Sequence, residues 1–426
     1  MSKNNENKLV PRLRFPEFAM EGEWEILPLS KLSYEITEKT KGRKFKLMSI
    51  TSGVGLVSQI EKFGKEIAGN SYDNYYVLKK GDFAYNKSST KLYPEGEVAM
   101  LEKEENGAVP NSIFTCFSFD KNKIYPIFAK YPFINNIHGR WLKKFIAVGA
   151  RANGALQVNS KDLFSIPFPY PSFKEQQKIA ACLSSLDDVI TAESKKLEVL
   201  KEHKKGLLQN LFPQEGETVP KLRFKEFEDS GEWVERTLGE VSDNVMYGMN
   251  SAAIMFDGEN KYIRITDIDD NTRLFSPNPL TSPDGQLDDK YFVNVGDILF
   301  ARTGASVGKS YLHQKENGKI YFAGFLIRFT IKNANPYFIY LQTLTEKYQK
   351  WVSKTSLRSG QPGINAEEFK SYPILISSLP EQQRIASCLS SLDNLINAQS
   401  QKIETLKLHK KGLLQGLFPD VNEHNG

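Results

Sequence analysis

Glu175-Gln176-Gln177 opens a stretch that runs through Cys182-Leu183-Ser184-Ser185-Leu186-Asp187 and His203-Lys204-Lys205-Gly206-Leu207-Leu208-Gln209 to Leu211-Phe212-Pro213. The same stretch returns from Glu381, through Cys388-Leu389-Ser390-Ser391-Leu392-Asp393 and His409-Lys410-Lys411-Gly412-Leu413-Leu414-Gln415, to Leu417-Phe418-Pro419. At a shift of about 206 residues roughly 28 of 39 positions are identical, far beyond chance. In the first copy Ile179, Leu183, Leu186, Ile190, Leu197, Leu200, Leu207 and Leu211 alternate steps of four and three once Glu193 and Lys204 fill two gaps. The second copy keeps that register with Ile385, Leu389, Leu392, Ile396, Ile403, Leu406, Leu413 and Leu417, interrupted at Gln399 and Lys410. This is a heptad seam with two polar interruptions, written twice. A helix of this length spans roughly 50 Å at 1.5 Å per residue and needs a partner for its apolar stripe. The two seams are expected to pair with each other as a coiled-coil spacer.

The repeat extends outside the helices. Val10-Pro11-Arg12-Leu13-Arg14-Phe15 with Gly22-Glu23-Trp24 returns as Val219-Pro220-Lys221-Leu222-Arg223-Phe224 with Gly231-Glu232-Trp233. Each lead-in opens a globular region that ends in a Ser-Ile-Pro or Ser-Tyr-Pro step (Pro167, Pro373) before the Glu-Gln-Gln helix. The expected order is a first domain over 1–171, a helical spacer over 172–213, a linker and second domain over 214–377, a second spacer over 378–419, and a tail over 420–426. A chain of 426 residues exceeds what one core sustains, which fits two domains.

Within the globular regions, Tyr76–Tyr85 and Tyr291–Phe300 read as strand, Gly-Asp turn, strand. Residues 44–51 and 261–266 are of strand type, whereas 335–351 and 127–145 read as helices. The fold class expected is α+β: two mixed domains related by a pseudo-twofold axis and separated by two long antiparallel coiled-coil helices. In that arrangement Phe418-Pro419 returns to Pro11-Arg12, so the chain ends imitate the covalent junction between Phe212-Pro213 and Val219-Pro220. One register places Glu193 opposite Lys410 and Lys204 opposite Gln399; a register one heptad away overlaps more of both helices.

Composition excludes little and suggests little. The net charge is +5, mildly basic and below the usual footprint of a dedicated nucleic-acid binder. Three cysteines (Cys116, Cys182, Cys388) without metal spacing fit a reduced, cytoplasmic compartment, and no apolar run is long enough to cross a membrane.

No catalytic set emerges. Thr303-Gly304-Ala305-Ser306-Val307-Gly308-Lys309-Ser310 imitates a phosphate-binding loop, but Thr303 takes the place of the first glycine; its backbone suits a DNA phosphate better than ATP. Pro283-Asp284 with Asp288-Asp289-Lys290 resembles a metal-binding nuclease set, yet its carboxylates crowd one loop and read as a solvated turn. Asn335-Pro336-Tyr337-Phe338 lacks the second proline of an adenine-methyltransferase tetrad and reads as a helix start. The five histidines show no ligand spacing.

The order of these repeats resembles the specificity subunit of a type I DNA restriction–modification enzyme. The resemblance runs from about Val10 to Pro419. It rests on the duplicated Pro-[Arg/Lys]-Leu-Arg-Phe segment, the turns Gly81-Asp82 and Gly296-Asp297, the stretch 301–309, and the two Glu-Gln-Gln-[Lys/Arg]-Ile-Ala openings. Thr191-Ala192-Glu193-Ser194 is similar to a short spacer element of that family. The resemblance implies two target recognition domains, each reading one half of a split, asymmetric double-stranded DNA sequence. It also implies helices that dock two methyltransferase subunits and, through them, motor–nuclease subunits. The chain itself would be non-catalytic and hold no cofactor or metal, with S-adenosylmethionine, ATP and Mg2+ on the partners.

Candidate DNA contacts lie where the two globular regions diverge. They are Asn86, Lys87, Ser88 and Lys91 in one, and Arg302, Thr303, Ser306 and Lys309 in the other. Basic helical sets Arg140, Lys143, Lys144 and Lys347, Lys350, Lys354, with Arg151 and Arg358 in the loops that follow, suit phosphates. For each of these residues a solvated surface charge is the competing reading. Trp24, Trp233, Phe15 and Phe224 are assigned to packing. Two other function classes stay open: a coiled-coil protein-interaction adaptor, and a self-contained DNA methyltransferase or nuclease. The latter would need a cofactor loop and a catalytic tetrad.

Overall fold

The computed structural model describes residues 9–67, 71–146, 155–357 and 360–419. The chain divides into two compact units, Met1–Ser194 with Gln401–Gly426, and Lys195–Ser400. Each unit therefore holds one globular region, the start of the helix that follows it, and the end of the other long helix.

In the first unit the strands are β1 (Glu25–Pro28), β2 (Ser33–Glu35), β3 (Met48–Thr51), β4 (Gly55–Ser58), and, after the short helix α1 (Gln59–Phe63), β5 (Tyr76–Lys79). Then come β6 (Phe83–Asn86), β7 (Glu97–Met100), β8 (Asn106–Val109) and β9 (Phe114–Phe119). Helices α2 (Pro126–Ile134), α3 (Ile137–Leu142) and α4 (Ser160–Phe164) lead to β10 (Pro167–Tyr170) and the long helix α5 (Phe173–Asn210). Strands β2, β9, β6 and β7 form an antiparallel sheet in that order, β1 pairs with β10, and β3–β4 and β5–β8 make two small sheets. The two strands around the Gly81-Asp82 turn thus belong to different sheets. Asp82 fixes the turn by accepting the Lys79 amide at 2.7 Å.

The second unit repeats the frame and changes the filling. It contains β11 (Val234–Thr237), β12 (Ser242–Tyr247), β13 (Ala253–Met255), β14 (Lys261–Ile263), β15 (Thr281–Pro283), β16 (Ile298–Ala301), β17 (Ser310–Leu312), β18 (Ile320–Phe322) and β19 (Leu326–Ile331). Helices α6 (Pro336–Gln342), α7 (Glu346–Thr355) and α8 (Ala366–Lys370) precede β20 (Pro373–Ile376) and the second long helix, α9 (Leu379–Leu417). The order β12-β19-β16-β17 matches the first four-stranded sheet, and β11–β20 matches β1–β10. The small sheets differ: β13–β15 is antiparallel but β14–β18 is parallel.

Several elements depart from the expected ones. The segment before Gly296 is not a strand; Asp289–Tyr291 is a 3-10 turn and Phe292 makes a single bridge to Tyr321. In 44–51 only Met48–Thr51 is strand, and 261–266 turns into a 3-10 helix at Ile265. Both expected helices are broken by local chemistry that outcompetes periodicity. Asn136 adopts a left-handed backbone (φ 57°) between α2 and α3. Thr345 accepts the Tyr348 amide and starts α7 afresh.

Each unit is closed by the same joint. Arg14 grips Glu175 through two hydrogen bonds (2.9 and 2.7 Å), and Arg223 grips Glu381 in the same way (2.8 and 2.9 Å). The neighbouring glutamines, Gln176 and Gln382, accept the amides of Tyr125 and Asn335, the caps of α2 and α6. The two glutamate–glutamine pairs are buried polar groups that seat each long helix on its own globular region. Backbone bonds close the other side: Leu13 N to Gly416 O in the first unit and Leu222 N to Asn210 O in the second, both 2.8 Å. Phe418 packs on Trp24 and Phe128, as Phe212 packs on Trp233 and Phe338. The end of α9 thus meets the first lead-in without a covalent link, as the end of α5 meets the second with one. Both tryptophans are buried, as their assignment to packing requires.

The heptad positions of α5 and α9 are buried or half-buried throughout, but the register differs from the one first set out. Lys410 pairs with Asp187 and Lys204 with Asp393 (2.5 Å for the latter), while Glu193 pairs with Lys402 at 2.5 Å. This is the register about one heptad away. It overlaps more apolar seam and gives each polar seam lysine a carboxylate, where the Glu193–Lys410 register would leave Lys204 facing the neutral Gln399. The same aspartates accept from Tyr131 (3.1 Å) and Tyr337, which reach from positions one turn apart on α2 and α6. Among the described residues no helix is long and apolar enough to cross a membrane.

Candidate nucleic-acid interface

Strand β6 is buried through Tyr85 and emerges half-exposed at Asn86-Lys87-Ser88; β16 is buried through Ala301 and emerges at Arg302-Thr303. Lys87 and Arg302 occupy the same place in the frame. Their amides donate to Ile113 O (2.9 Å) and Phe325 O (3.1 Å), just ahead of β9 and β19. Their carbonyls accept from Leu156 N (2.7 Å) and Ile364 N (2.9 Å), and the next residues bridge to Ala155 and Gly363. The backbone is duplicated, and the side chains it presents are not.

In the first unit Asn86 accepts the Ser88 amide (3.1 Å), which orders the turn, and Lys91 stands exposed beyond it. In the second unit the Arg302 guanidinium carbon lies 4.9 Å from the centre of the Tyr247 ring and 5.9 Å from that of Phe325. Neither ring was among the sequence candidates. Gly248 brings them together, since a Cβ there would lie 2.2 Å from the Ala323 carbonyl oxygen. That close backbone approach sets Tyr247 beside Phe325, and the pairs Tyr247-Gly248 and Gly324-Phe325 were the available signal.

Lys309 does not belong to the exposed set. Its side chain is buried, and its ammonium donates to Ile268 O (3.0 Å) and pairs with Asp270 (2.5 Å). The phosphate-cradle reading of 303–310 is weakened likewise. The amides of Gly304, Val307, Gly308 and Lys309 donate to Pro362, Gly304, Ala301 and Ser306 carbonyls. Thr303 and Ser306 remain half-exposed.

The basic helices face outward. On α7 Tyr348 and Val352 turn into the core, leaving Lys347, Lys350 and Lys354 along one outer stripe; Lys350 reaches Glu215 at 3.3 Å. On the first unit Arg140 is exposed on α3, with Lys143 and Lys144 just past it; Lys144 lies over the Trp141 ring, 3.2 Å from its centre. Arg151 and Arg358 lie outside the described residues.

The remaining motifs have structural roles. Asp288 accepts the Lys290 amide and pairs with its ammonium (2.7 Å), which holds the carboxylate below the usual range. Asn335 caps α6 by accepting the Phe338 amide. His203 and His409 are exposed on the long helices, whereas His138 and His313 are buried. Among the described residues no group of three or more His, Cys, Asp or Glu side chains is placed to hold a metal.

A family model described as the type I restriction modification DNA specificity domain matches residues 30–202 and again 230–408. The MjaVIII specificity subunit of a type I restriction enzyme of Methanocaldococcus jannaschii is 25% identical over 288 residues, covering 65% of this chain and 67% of that one. The MjaIX specificity subunit of the same organism is 25% identical over 357 residues, covering 78% and 79%. Among solved structures, the type I restriction-modification S subunit from M. genitalium matches with a TM-score of 0.59 over 97% of this chain and all of its own, at 15% identity, a likeness of fold. Two matches of one domain, falling on the two copies of the internal repeat, span most of the sequence, and the chain belongs to the type I restriction modification DNA specificity family.

Proposed function

We propose that this chain reads a split, asymmetric DNA target, one half with each unit, for a type I restriction–modification complex. The observation that carries the reading is the paired position of Lys87 and Arg302, where one backbone frame presents two different sets of side chains. Duplicated frames with different readers suit two unlike half-sites. The outer faces of α5 and α9 dock two methyltransferase subunits, which in turn bring motor–nuclease subunits. S-adenosylmethionine, ATP and Mg2+ bind on those partners, and the complex works in the cytoplasm. With a net charge of only +5, the isolated chain binds DNA weakly and gains affinity in the assembled complex.

The test is methylome sequencing of a host carrying this chain with its methyltransferase partner. The expected result is one split motif with methylated adenines. Exchange of residues 24–171 for another family member's domain is expected to alter one half only. A stable complex that methylates nothing would favour a protein adaptor, and methylation without a partner would reveal a catalytic site in this chain.

A further inference from the structure

Arg302 is a charged group with unusual company. Among the described residues no carboxylate pairs with it, and its Nε atom is buried without a hydrogen-bond partner. Exposed rings flank the guanidinium, Tyr247 at 39% and Phe325 at 60% relative exposure. A guanidinium held beside two rings, with Nε buried, has less freedom left to lose on binding a ligand. With Nε turned into the protein, the outward edge is the pair of terminal nitrogens, which present two donors side by side.

We propose that Arg302 reads a guanine, its two terminal nitrogens donating to O6 and N7 of that base in the half-target taken by the second unit. The inference rests on the proposed function and adds the base class to it. Guanine alone among the four bases offers two adjacent acceptors on its major-groove edge, and paired arginine donors match them. A phosphate is the other partner with two acceptor oxygens, but the surroundings do not gather for one. The nearest lysine in the turn, Lys309, is buried and neutralised by Asp270, and the amides of Gly304, Val307, Gly308 and Lys309 are spent on carbonyls. The groups that lie against the guanidinium itself are aromatic, and they accommodate the edge and methyl groups of neighbouring bases. Among the described residues the first unit places no arginine at the equivalent position. Its equivalent residue is Lys87, with Ile113 where the second has Phe325, so the guanine requirement belongs to one half of the target.

The experiment compares the full complex carrying the native chain, Arg302→Ala and Arg302→Lys by methylome sequencing, with partner binding measured for each variant. Lysine keeps the charge and removes the paired donors. Both variants are expected to relax the guanine requirement at one position of one half-motif, by on the order of 10- to 100-fold, with the other half unchanged. A native motif in either variant that assembles would overturn the proposal. So would a uniform fall in methylation with the motif intact for alanine and restoration by lysine, the signature of a phosphate contact. Absence of any split motif with the native chain would instead sink the proposed function, and this inference with it.

Discussion

The guanidinium of Arg14 and the carboxylate of Glu175 form a two-point ion pair in which the acid side chain is 1% exposed and the arginine 8%. The pair fastens the first lead-in segment to the start of α5, and Arg223 with Glu381 does the same for α9. Removing one partner strands a buried charge. Arg14→Met is expected to destabilise the first unit by about 3–5 kcal/mol, while the double variant Arg14→Met with Glu175→Met recovers most of the loss. Urea unfolding monitored by circular dichroism measures both. A single variant within about 0.5 kcal/mol of the native chain would mean that the joint is solvated.

The register of the coil is open to double-mutant cycles. Asp187→Asn and Lys410→Met are expected to couple by about 1 kcal/mol, as are Asp393→Asn and Lys204→Met, because these lysines are about four-fifths buried. Glu193 and Lys410 are expected to show no coupling. Coupling in that last pair would restore the other register.

The bond from Leu13 N to Gly416 O copies the bond from Leu222 N to Asn210 O, so the break between the chain ends is replaceable. A circular permutant opened between Gln214 and Thr218, with Pro419 joined to Leu9 by five residues, is expected to fold with native circular dichroism and to methylate the same motif. Failure of the permutant to fold would show that the Gln214–Thr218 linker itself orders the second unit.

His138 supplies a pH test. Burial, aided by the nearby charge of Arg140, pushes its pKa down to about 4, while Nε2 donates to the Gly96 carbonyl. The folded form therefore stays neutral while the unfolded chain takes up a proton below about pH 6.5. Stability is expected to fall as pH drops from 6.5 towards 4, by about 2 kcal/mol at pH 5, and the loss levels off below about pH 4. His138→Gln should flatten that part of the profile. An unchanged slope would assign it to other groups.

The repeat, the seam and the closing of the chain ends were legible because identical residues recur at fixed spacing, and packing surfaces such as Trp24 and Phe418 recur with them. The register was not. An apolar stripe is compatible with any heptad shift, and the residues that select one, Asp187 and Asp393, sit beside the seam rather than in it. Lys309 read as an exposed loop cation because Asp270 and Ile268, which bury it, lie about 40 residues away in the chain. The aromatic flanks of Arg302 were hidden for the same reason: Tyr247 and Phe325 lie 78 residues apart and are brought near one another by the β12–β19 pairing and the close approach at Gly248. Broken helices at Asn136 and Thr345 show the converse, where one residue's local chemistry overrides a sound periodic pattern.

The joints that seat the globular regions are spelled almost identically in both halves, down to Arg14–Glu175 and Arg223–Glu381. A genetic crossover within the repeated segments would therefore deliver a foreign reader into either slot with its sockets already matched. Under the proposed function, such an exchange would change what DNA the product recognises while leaving the Arg14–Glu175 and Arg223–Glu381 joints in place.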